Sequence, residues 1–181
     1  MLGEKNKQYE ENSFEWDTQA MELLREKFKL QKFRENQRPI INATMSGKDV
    51  LGLIPTGGGK SLTFQISALL GSGVSIVIMP LKALIRENVQ FCEENGISCC
   101  ELTSNRTFTV RYSEEDCYDE MLAGAFKMVF TTPEKVIKNN EFKWVLQKMY
   151  KKGLIDRFVV DEIHVVKKWG DSFRQSYRNL K

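Results

Sequence analysis

The spacing of apolar residues changes near residue 48 of the chain. Before it, apolar residues recur every three or four positions, which predicts amphipathic helices at 18–28 and 34–45. After it, short apolar runs alternate with stretches of helical spacing. The runs predict strands at 49–54, 74–79, 98–102, 127–130 and 158–160. The stretches between and after them predict helices at 60–70, 83–94, 114–123 and 142–151, with a last one from about Arg174.

This alternation predicts an α/β fold. Strands that are short and apolar throughout are typical of a mostly parallel sheet with helices on both faces. The polar, unpatterned start predicts a flexible segment at 1–15, and a chain of 181 residues is long enough for one domain at 16–181. The periodicity fails at 104–113, where we expect a loop.

A glycine-rich stretch, IPTGGGKS at 54–61, joins the first predicted strand to the next helix. In a phosphate-binding loop (P-loop), glycines let successive N–H groups surround a triphosphate, and the following helix directs its positive end at the same charge. Lys60 would reach the outer phosphates, and the Ser61 hydroxyl would bind Mg²⁺. A glycine-rich turn that binds nothing is the alternative, and the flanking strand and helix argue against it. The other predicted phosphate-binding residues are Thr56, Gly57, Gly58 and Gly59.

An acidic pair, Asp161 and Glu162, directly follows the predicted strand at 158–160. Ligands of open α/β sheets bind outside the carboxyl ends of the strands. Alone, the pair would indicate an ordinary charged turn; together with a P-loop it indicates that Asp161 holds Mg²⁺ and Glu162 orients and deprotonates water. His164, the only histidine, is either a surface residue or one that faces the nucleotide.

Composition excludes several kinds of site and leaves the partner open. A formal net charge of +3 permits a phosphate-bearing partner without requiring one. The four cysteines form no C-x-x-C pair, so we expect no zinc site and thiols of a reducing compartment. No apolar stretch approaches the roughly 20 residues of a membrane-spanning helix, and the polar start lacks a signal peptide pattern. We therefore expect a soluble intracellular protein.

Six collinear motifs resemble those of RecQ helicases, a family within helicase superfamily 2. They are FRENQ at 33–37 (the RecQ adenine-reading motif), PTGGGKS at 55–61 (motif I), PLKAL at 80–84 (motif Ia), TTPEK at 131–135 (motif Ib), DEIH at 161–164 (the D-E-x-H box) and WGDSFRQSY at 169–177 (the aromatic-rich loop). The resemblance runs from about Phe28 to Tyr177.

The resemblance implies a RecA-like P-loop NTPase fold and the first motor domain of an ATP-dependent DNA helicase that moves 3′ to 5′. ATP and Mg²⁺ would be its cofactors. By resemblance, Gln37 would hydrogen-bond the adenine edge and Arg34 would support nucleotide binding. On its own, Gln37 would be read as an exposed helix residue.

The resemblance also implies a surface for single-stranded and partly duplex DNA. Loops at strand ends would contact the phosphate backbone without reading sequence. The aromatic-rich loop would sense DNA, stack on bases and signal to the ATP site. Without the motifs, Lys82 would be interpreted as a solvated charge, and Trp169 and Phe173 would be interpreted as core residues. The residues carried over to this surface are Pro80, Lys82, Thr132, Trp169, Phe173 and Arg174.

The chain departs from the family pattern in the aromatic-rich loop. Asp171 and Ser172 stand where RecQ helicases usually have histidine and aspartate, so we expect altered coupling of DNA binding to hydrolysis. A RecQ motor binds ATP between two RecA-like domains, and we expect the second to be absent from this chain. Because an arginine finger supplied by that domain is worth about 10³–10⁵ in rate, we expect this domain alone to be nearly inactive.

Two other functions explain part of the pattern. One is a P-loop phosphotransferase that acts on a small molecule, which motifs Ia and Ib argue against. The other is a nucleic-acid-binding module with a vestigial ATP site, which the altered aromatic-rich loop favours. For the helicase interpretation we expect a monomer that contacts no membrane and serves DNA repair and recombination. Its location would be the nucleus of a eukaryote, or otherwise the cytoplasm or nucleoid.

Overall fold

The computed structural model describes residues 8–10, 13–55, 57–103 and 114–162. The chain groups into two compact units, residues 1–72 and 73–181. The predicted loop at 104–113 and the predicted helix from Arg174 lie outside the described residues.

From residue 13 onward, the described residues of the first unit form three helices, whose positions confirm the predicted ones. They are α1 (Asp17–Glu26), α2 (Gln37–Met45) and α3 (Lys60–Leu70). Each helix turns an apolar stripe towards the other two, so that Leu24, Ile41 and Ile66 are almost fully buried. Helix α3 is buried along most of its length, and its N-terminus carries the P-loop.

Residues before α1 are attached to α2. Arg38 donates a hydrogen bond to the Glu10 carbonyl (2.7 Å), and Asn42 donates one to the Tyr9 carbonyl (2.8 Å). The described part of the predicted flexible segment at 1–15 is therefore held by α2, while the rest of that segment lies outside the described residues.

The run at 49–54 forms no strand, so the first predicted strand is wrong. Its backbone is irregular, and the side chains of Leu51 and Leu53 are 76% and 84% exposed. An apolar run becomes a strand only where a neighbouring strand takes up its backbone groups, because β propensity depends on context. None of the ladders among the described residues includes this run.

Four parallel strands form the sheet of the second unit. They are β1 (Val74–Ile78), β2 (Cys99–Leu102), β3 (Met128–Thr131) and β4 (Ile155–Val160), in the spatial order β2-β3-β1-β4. Strand β1 is buried at every position, as expected for the interior of a parallel sheet. Strand β4 pairs with β1 on one side and alternates between half-buried and exposed residues.

The described part of the second unit also contains four helices. They are α4 (Lys82–Glu94), α5 (Glu114–Leu122), α6 (Pro133–Lys138) and α7 (Asn140–Lys151). Helices α5 and α7 pack on one face of the sheet, where Met121 and Phe142 join Ile76 of β1 in one apolar cluster. Val77, the next residue of β1, points to the other face and is fully buried there. Helix α6 was not predicted, because six residues are too few to show a period. The predicted parallel α/β fold is thus confirmed.

All four cysteines are thiols in the second unit. A side-chain hydrogen bond with Cys99 and burial raise the pKa of Cys92. A hydrogen bond with Cys117 and burial raise the pKa of Cys100 in the same direction. Within the described ranges, no group of three His, Cys, Asp or Glu residues is placed to hold a metal ion, and no helix is long and apolar enough to cross a membrane.

Candidate nucleotide and nucleic-acid site

Two of the three P-loop glycines, Gly58 and Gly59, occupy positions where an added side chain would collide with its neighbours. Gly59 has φ +82°, and a Cβ atom added there would lie 2.4 Å from Nε2 of Gln37. A Cβ atom on Gly58 would lie 2.5 Å from Cγ2 of Ile54. Real Cβ atoms do not approach other atoms this closely, so at both positions the main chain fills a space that only glycine permits. Gly57 has open space around it and φ +77°, so there it is the backbone conformation that favours glycine.

The side chains of Gln37, the first residue of α2, and of Arg34, three residues before it, hold the P-loop by its carbonyl groups. The Arg34 guanidinium donates from Nη1 to the Gly57 carbonyl (2.5 Å). Gln37 donates from Nε2 to the carbonyls of Gly58 (3.3 Å) and Gly59 (3.0 Å). The two residues that the sequence predicts to bind nucleotide are thus in direct contact with the predicted phosphate loop. That they contact adenine stays a prediction.

The N-terminus of α3 completes the phosphate site in the first unit. Gly59 is the residue before the helix, and Lys60 and Ser61, both half-buried, form its first turn. A helix N-terminus carries a partial positive charge and N–H groups that attract anions. Main-chain amides, an ammonium group and a hydroxyl suit the phosphates and magnesium of Mg-ATP. Thr56 lies outside the described residues.

The carboxyl ends of three strands share one edge of the sheet in the second unit. Ile78 in β1 lies opposite both Thr131 in β3 and Val160 in β4. Beyond this row, Met79 donates its N–H to the Thr131 carbonyl (2.9 Å), and Asp161 donates its N–H to the Ile78 carbonyl (3.0 Å). The residues that follow these strands are the predicted motif Ia, motif Ib and acidic pair. The sheet therefore brings these three motifs to the same edge.

The acidic pair has an unusual backbone. Glu162 has φ +55°, the left-handed region that non-glycine residues seldom adopt. Its N–H donates to Oδ1 of Asp161 (2.8 Å), which fixes that carboxylate, and both residues are half-buried. Backbone conformations of this kind cost about 1–3 kcal/mol and are common at functional sites. The Asp161 carboxylate offers oxygen ligands of the type that Mg²⁺ prefers. His164 lies outside the described residues.

Replacing Glu162 with glycine is expected to raise the free energy of unfolding by up to about 1 kcal/mol, because glycine adopts a positive φ without strain. Urea denaturation of this chain measures the effect. Glu162→Gln is the matched control, since it removes the charge and keeps the strained backbone, and it is expected to give no gain. A loss of stability in Glu162→Gly would show that the Glu162 side chain stabilises this turn by more than the strain costs.

The predicted DNA-contacting residues differ in exposure. Lys82 is half-buried in the first turn of α4, while Pro80 is buried. Thr132 is 2% exposed, and its Oγ1 accepts a hydrogen bond from the Lys135 N–H (3.4 Å) as the N-cap of α6. Among these three, Lys82 has the side chain best placed for a phosphate. Three further residues predicted to contact DNA lie outside the described residues: Trp169, Phe173 and Arg174.

A buried ion pair next to motif Ib was not predicted. The Lys135 ammonium, at the start of α6, pairs with the Glu114 carboxylate, at the start of α5. Tyr118 donates its hydroxyl hydrogen to the same carboxylate (2.6 Å), and the Lys135 ammonium lies 5.9 Å from the centre of the Tyr118 ring. Lys135 is only 6% exposed. The lysine of TTPEK was visible in the sequence, but nothing local indicates a partner 21 residues away.

Comparison with known proteins agrees with these motifs. The model of the DEAD/DEAH box helicase family matches residues 34–181, which include the P-loop and the acidic pair. The chain belongs to the DEAD/DEAH box helicase family. Among curated relatives of this helicase domain, "ATP-dependent DNA helicase Q-like 2" of Arabidopsis thaliana is 38% identical over 170 residues, or 93% of this chain.

Two further relatives extend the comparison to animals. "ATP-dependent DNA helicase Q1" of Rattus norvegicus is 36% identical over 95% of this chain. "RecQ-like DNA helicase BLM" of Xenopus laevis is 36% identical over 93% of it. The predicted resemblance to RecQ helicases is confirmed by these similarities. This helicase domain spans only 24%, 28% and 12% of the length of the three relatives, in the order given.

Proposed function

We propose that the chain is the ATP-binding part of a RecQ-type DNA helicase, which couples ATP hydrolysis to 3′-to-5′ movement along single-stranded DNA and to duplex unwinding. The observation that carries the proposal is the P-loop: Gly58 and Gly59 fill space that leaves no room for a side chain, and the loop leads into a helix that begins with lysine and serine. Such a loop suits the triphosphate of ATP.

In this proposal each residue of the site has its own role in ATP hydrolysis. Lys60 contacts the outer phosphates, and Ser61 and Asp161 hold Mg²⁺, which neutralises phosphate charge when bound. Glu162 orients and deprotonates the attacking water, with His164 two residues further along the chain. Support for Glu162 comes from its strained backbone and from the hydrogen bond that fixes the neighbouring Asp161 carboxylate.

The proposed DNA-binding surface lies on the edge of the sheet that carries motifs Ia and Ib. Lys82 supplies a cation at this edge, and Pro80 and Thr132 shape the loops around it. Contacts to phosphates would bind single-stranded or partly duplex DNA of any sequence. The proposal also includes a monomeric protein in the nucleus of a eukaryotic cell, where helicases of this type process DNA.

Replacing Lys82 with alanine is expected to weaken binding of single-stranded DNA by the same factor for different sequences. Loss of one phosphate contact should also lower the slope of log affinity against log salt by about 1. Fluorescence anisotropy with two labelled oligonucleotides of different sequence, titrated between low and moderate KCl, measures both effects. Lys151→Ala is the matched control, because Lys151 ends α7 near the amino end of β4 and is expected to leave the slope unchanged.

Two results would count against the proposed function. If the wild-type chain binds DNA but no Mg-ATP, the chain is a nucleic-acid-binding module. If it binds Mg-ATP but the DNA affinity does not depend on salt, the sheet edge at Lys82 is not a phosphate-binding surface.

A further inference from the structure

Helix α7 has one apolar face and one face that combines lysines with aromatic residues. Phe142, Val145 and Met149 are buried in the apolar cluster of the second unit. Residues three or four positions apart share a side of a helix, so the residues between these three turn away from the core. Those that are exposed on the opposite side form what we call the outer face of α7: Trp144, Gln147, Lys148, Tyr150 and Lys151.

The outer face exposes two large aromatic side chains. Trp144 is 53% exposed and Tyr150 is 75% exposed, although tryptophan is highly buried on average. The Lys148 ammonium lies 5.2 Å from the centre of the Trp144 ring, within the distance of a cation–π interaction. This contact keeps the indole and the ammonium side by side at the surface. A partner that reaches one of them therefore meets an apolar ring and a positive charge together.

Positive charge is concentrated in the same helix. Residues 140–152 contain four lysines and one glutamate, and their formal net charge of +3 equals that of the whole chain. The charges of all other residues therefore cancel. Lys152 donates a hydrogen bond to the Leu122 carbonyl of α5 (3.2 Å). Lys148 and Lys151 are exposed on the outer face, where an anionic partner can reach them.

The neighbouring helix α5 restricts the kind of anion that fits. It packs beside α7 and carries five carboxylates, of which Glu115, Asp116 and Asp119 are exposed. Packed helices have axes about 8–10 Å apart, which is close to the Debye length of about 10 Å at 0.1 M salt. A nucleic acid, with a charge at every phosphate, would therefore be repelled by α5 while α7 attracts it. A peptide can instead place a few carboxylates on the lysines and an apolar side chain on the indole.

We propose that the outer face of α7 is a docking surface for an acidic peptide of a partner protein, whose carboxylates pair with Lys148 and Lys151 and whose apolar side chain packs on Trp144. Tryptophan that combines with a charged rim is typical of peptide-binding and protein-binding surfaces. Lys151 lies near the amino end of β4, whereas motifs Ia and Ib follow the carboxyl ends of their strands. This docking surface requires neither the proposed nucleotide site nor the proposed DNA-binding surface.

Binding of a model peptide tests the docking surface. The probe is a fluorescein-labelled peptide that repeats Glu-Glu-Phe-Leu three times, and its anisotropy is followed as the 181-residue chain is added. We expect saturable binding that weakens as KCl is added, because exposed charges are screened by salt. A second peptide repeats Glu-Glu-Ser-Gln and has the same charge without apolar side chains. It is expected to bind about 5-fold more weakly or worse, since it cannot pack on the indole.

Two variants of the outer face are expected to weaken binding of the first peptide. Trp144→Ala should lower the affinity about 5- to 20-fold, because aromatic side chains that fill an apolar contact are typical hot spots. Lys148→Ala/Lys151→Ala should lower it about 3- to 10-fold, the effect of two exposed ion pairs. The matched control, Lys32→Ala/Lys48→Ala, removes two exposed lysines of the first unit and is expected to leave the affinity unchanged.

Each other result overturns the inference. If the chain binds neither peptide, or both equally well, the outer face has no site for an apolar side chain beside its lysines. If the double lysine variant and its control lose the same affinity, net charge attracts the peptide and α7 has no specific part. If the α7 variants weaken binding of an oligothymidylate instead, the outer face binds nucleic acid. Mg-ATP binding is expected to be unchanged in all variants, so failure of the docking surface is distinguishable from failure of the proposed function.

Discussion

Replacing Lys60 with alanine is expected to weaken Mg-ATP binding by about 30- to 1,000-fold. An ammonium group that pairs with phosphate in a partly enclosed site contributes about 2–4 kcal/mol, and each 1.4 kcal/mol corresponds to tenfold in affinity. Lys60 is half-buried in the first turn of α3, where the P-loop amides and the helix N-terminus attract the same phosphates. Titration of a fluorescent ATP analogue with magnesium measures the change.

Lys82→Ala provides a matched control for Lys60→Ala. Both lysines are the first residue of a helix, both are half-buried, and both variants lose one positive charge. We expect Lys60→Ala to lose nucleotide binding and keep DNA binding, and Lys82→Ala to show the reverse. If both variants lost nucleotide affinity to the same extent, a general charge effect would explain the result, and the specific role of Lys60 would be wrong.

The parts of this molecule that depend on neighbouring residues could be predicted from its sequence. The P-loop is one of these, because glycines, lysine and serine must stand together between two elements. The helices of the first unit and the four strands of the sheet were placed to within a few residues, since each has its own apolar period. Their parallel order follows from strands that alternate with helices.

The parts that depend on distant partners could not be predicted. The run at 49–54 has the apolar pattern of a strand, but pairing decides whether a strand forms, and pairing is not encoded locally. The bonds from the Gln37 amide to the Gly58 and Gly59 carbonyls, more than 20 residues further along the chain, were not predicted either, while its contact with adenine stays a prediction. No spacing rule connects such positions, because the contact arises only when α2 packs against α3.

The ion pair between Glu114 and Lys135 also joins residues that are distant in sequence. Its contribution to the free energy of unfolding can be measured. Replacing Glu114 with glutamine is expected to lower the free energy of unfolding by about 3 kcal/mol. Lys135 is 6% exposed, so removing the carboxylate takes the ionic partner from an ammonium group that water reaches poorly. The value lies at the low end for a buried pair because Glu114 is 29% exposed. Urea denaturation of this chain gives the change.

The second half of the test is the double variant Glu114→Gln/Lys135→Met. Replacing both charged partners of a buried pair by uncharged groups is often neutral, since no charge remains to be solvated. We therefore expect the double variant to recover most of the stability that Glu114→Gln loses, which a double-mutant cycle expresses as a coupling energy. Additive losses would mean that the pair is not coupled. Because the Lys135 N–H donates to Oγ1 of Thr132, a coupled pair would also explain how α5 holds the motif Ib loop at the sheet edge.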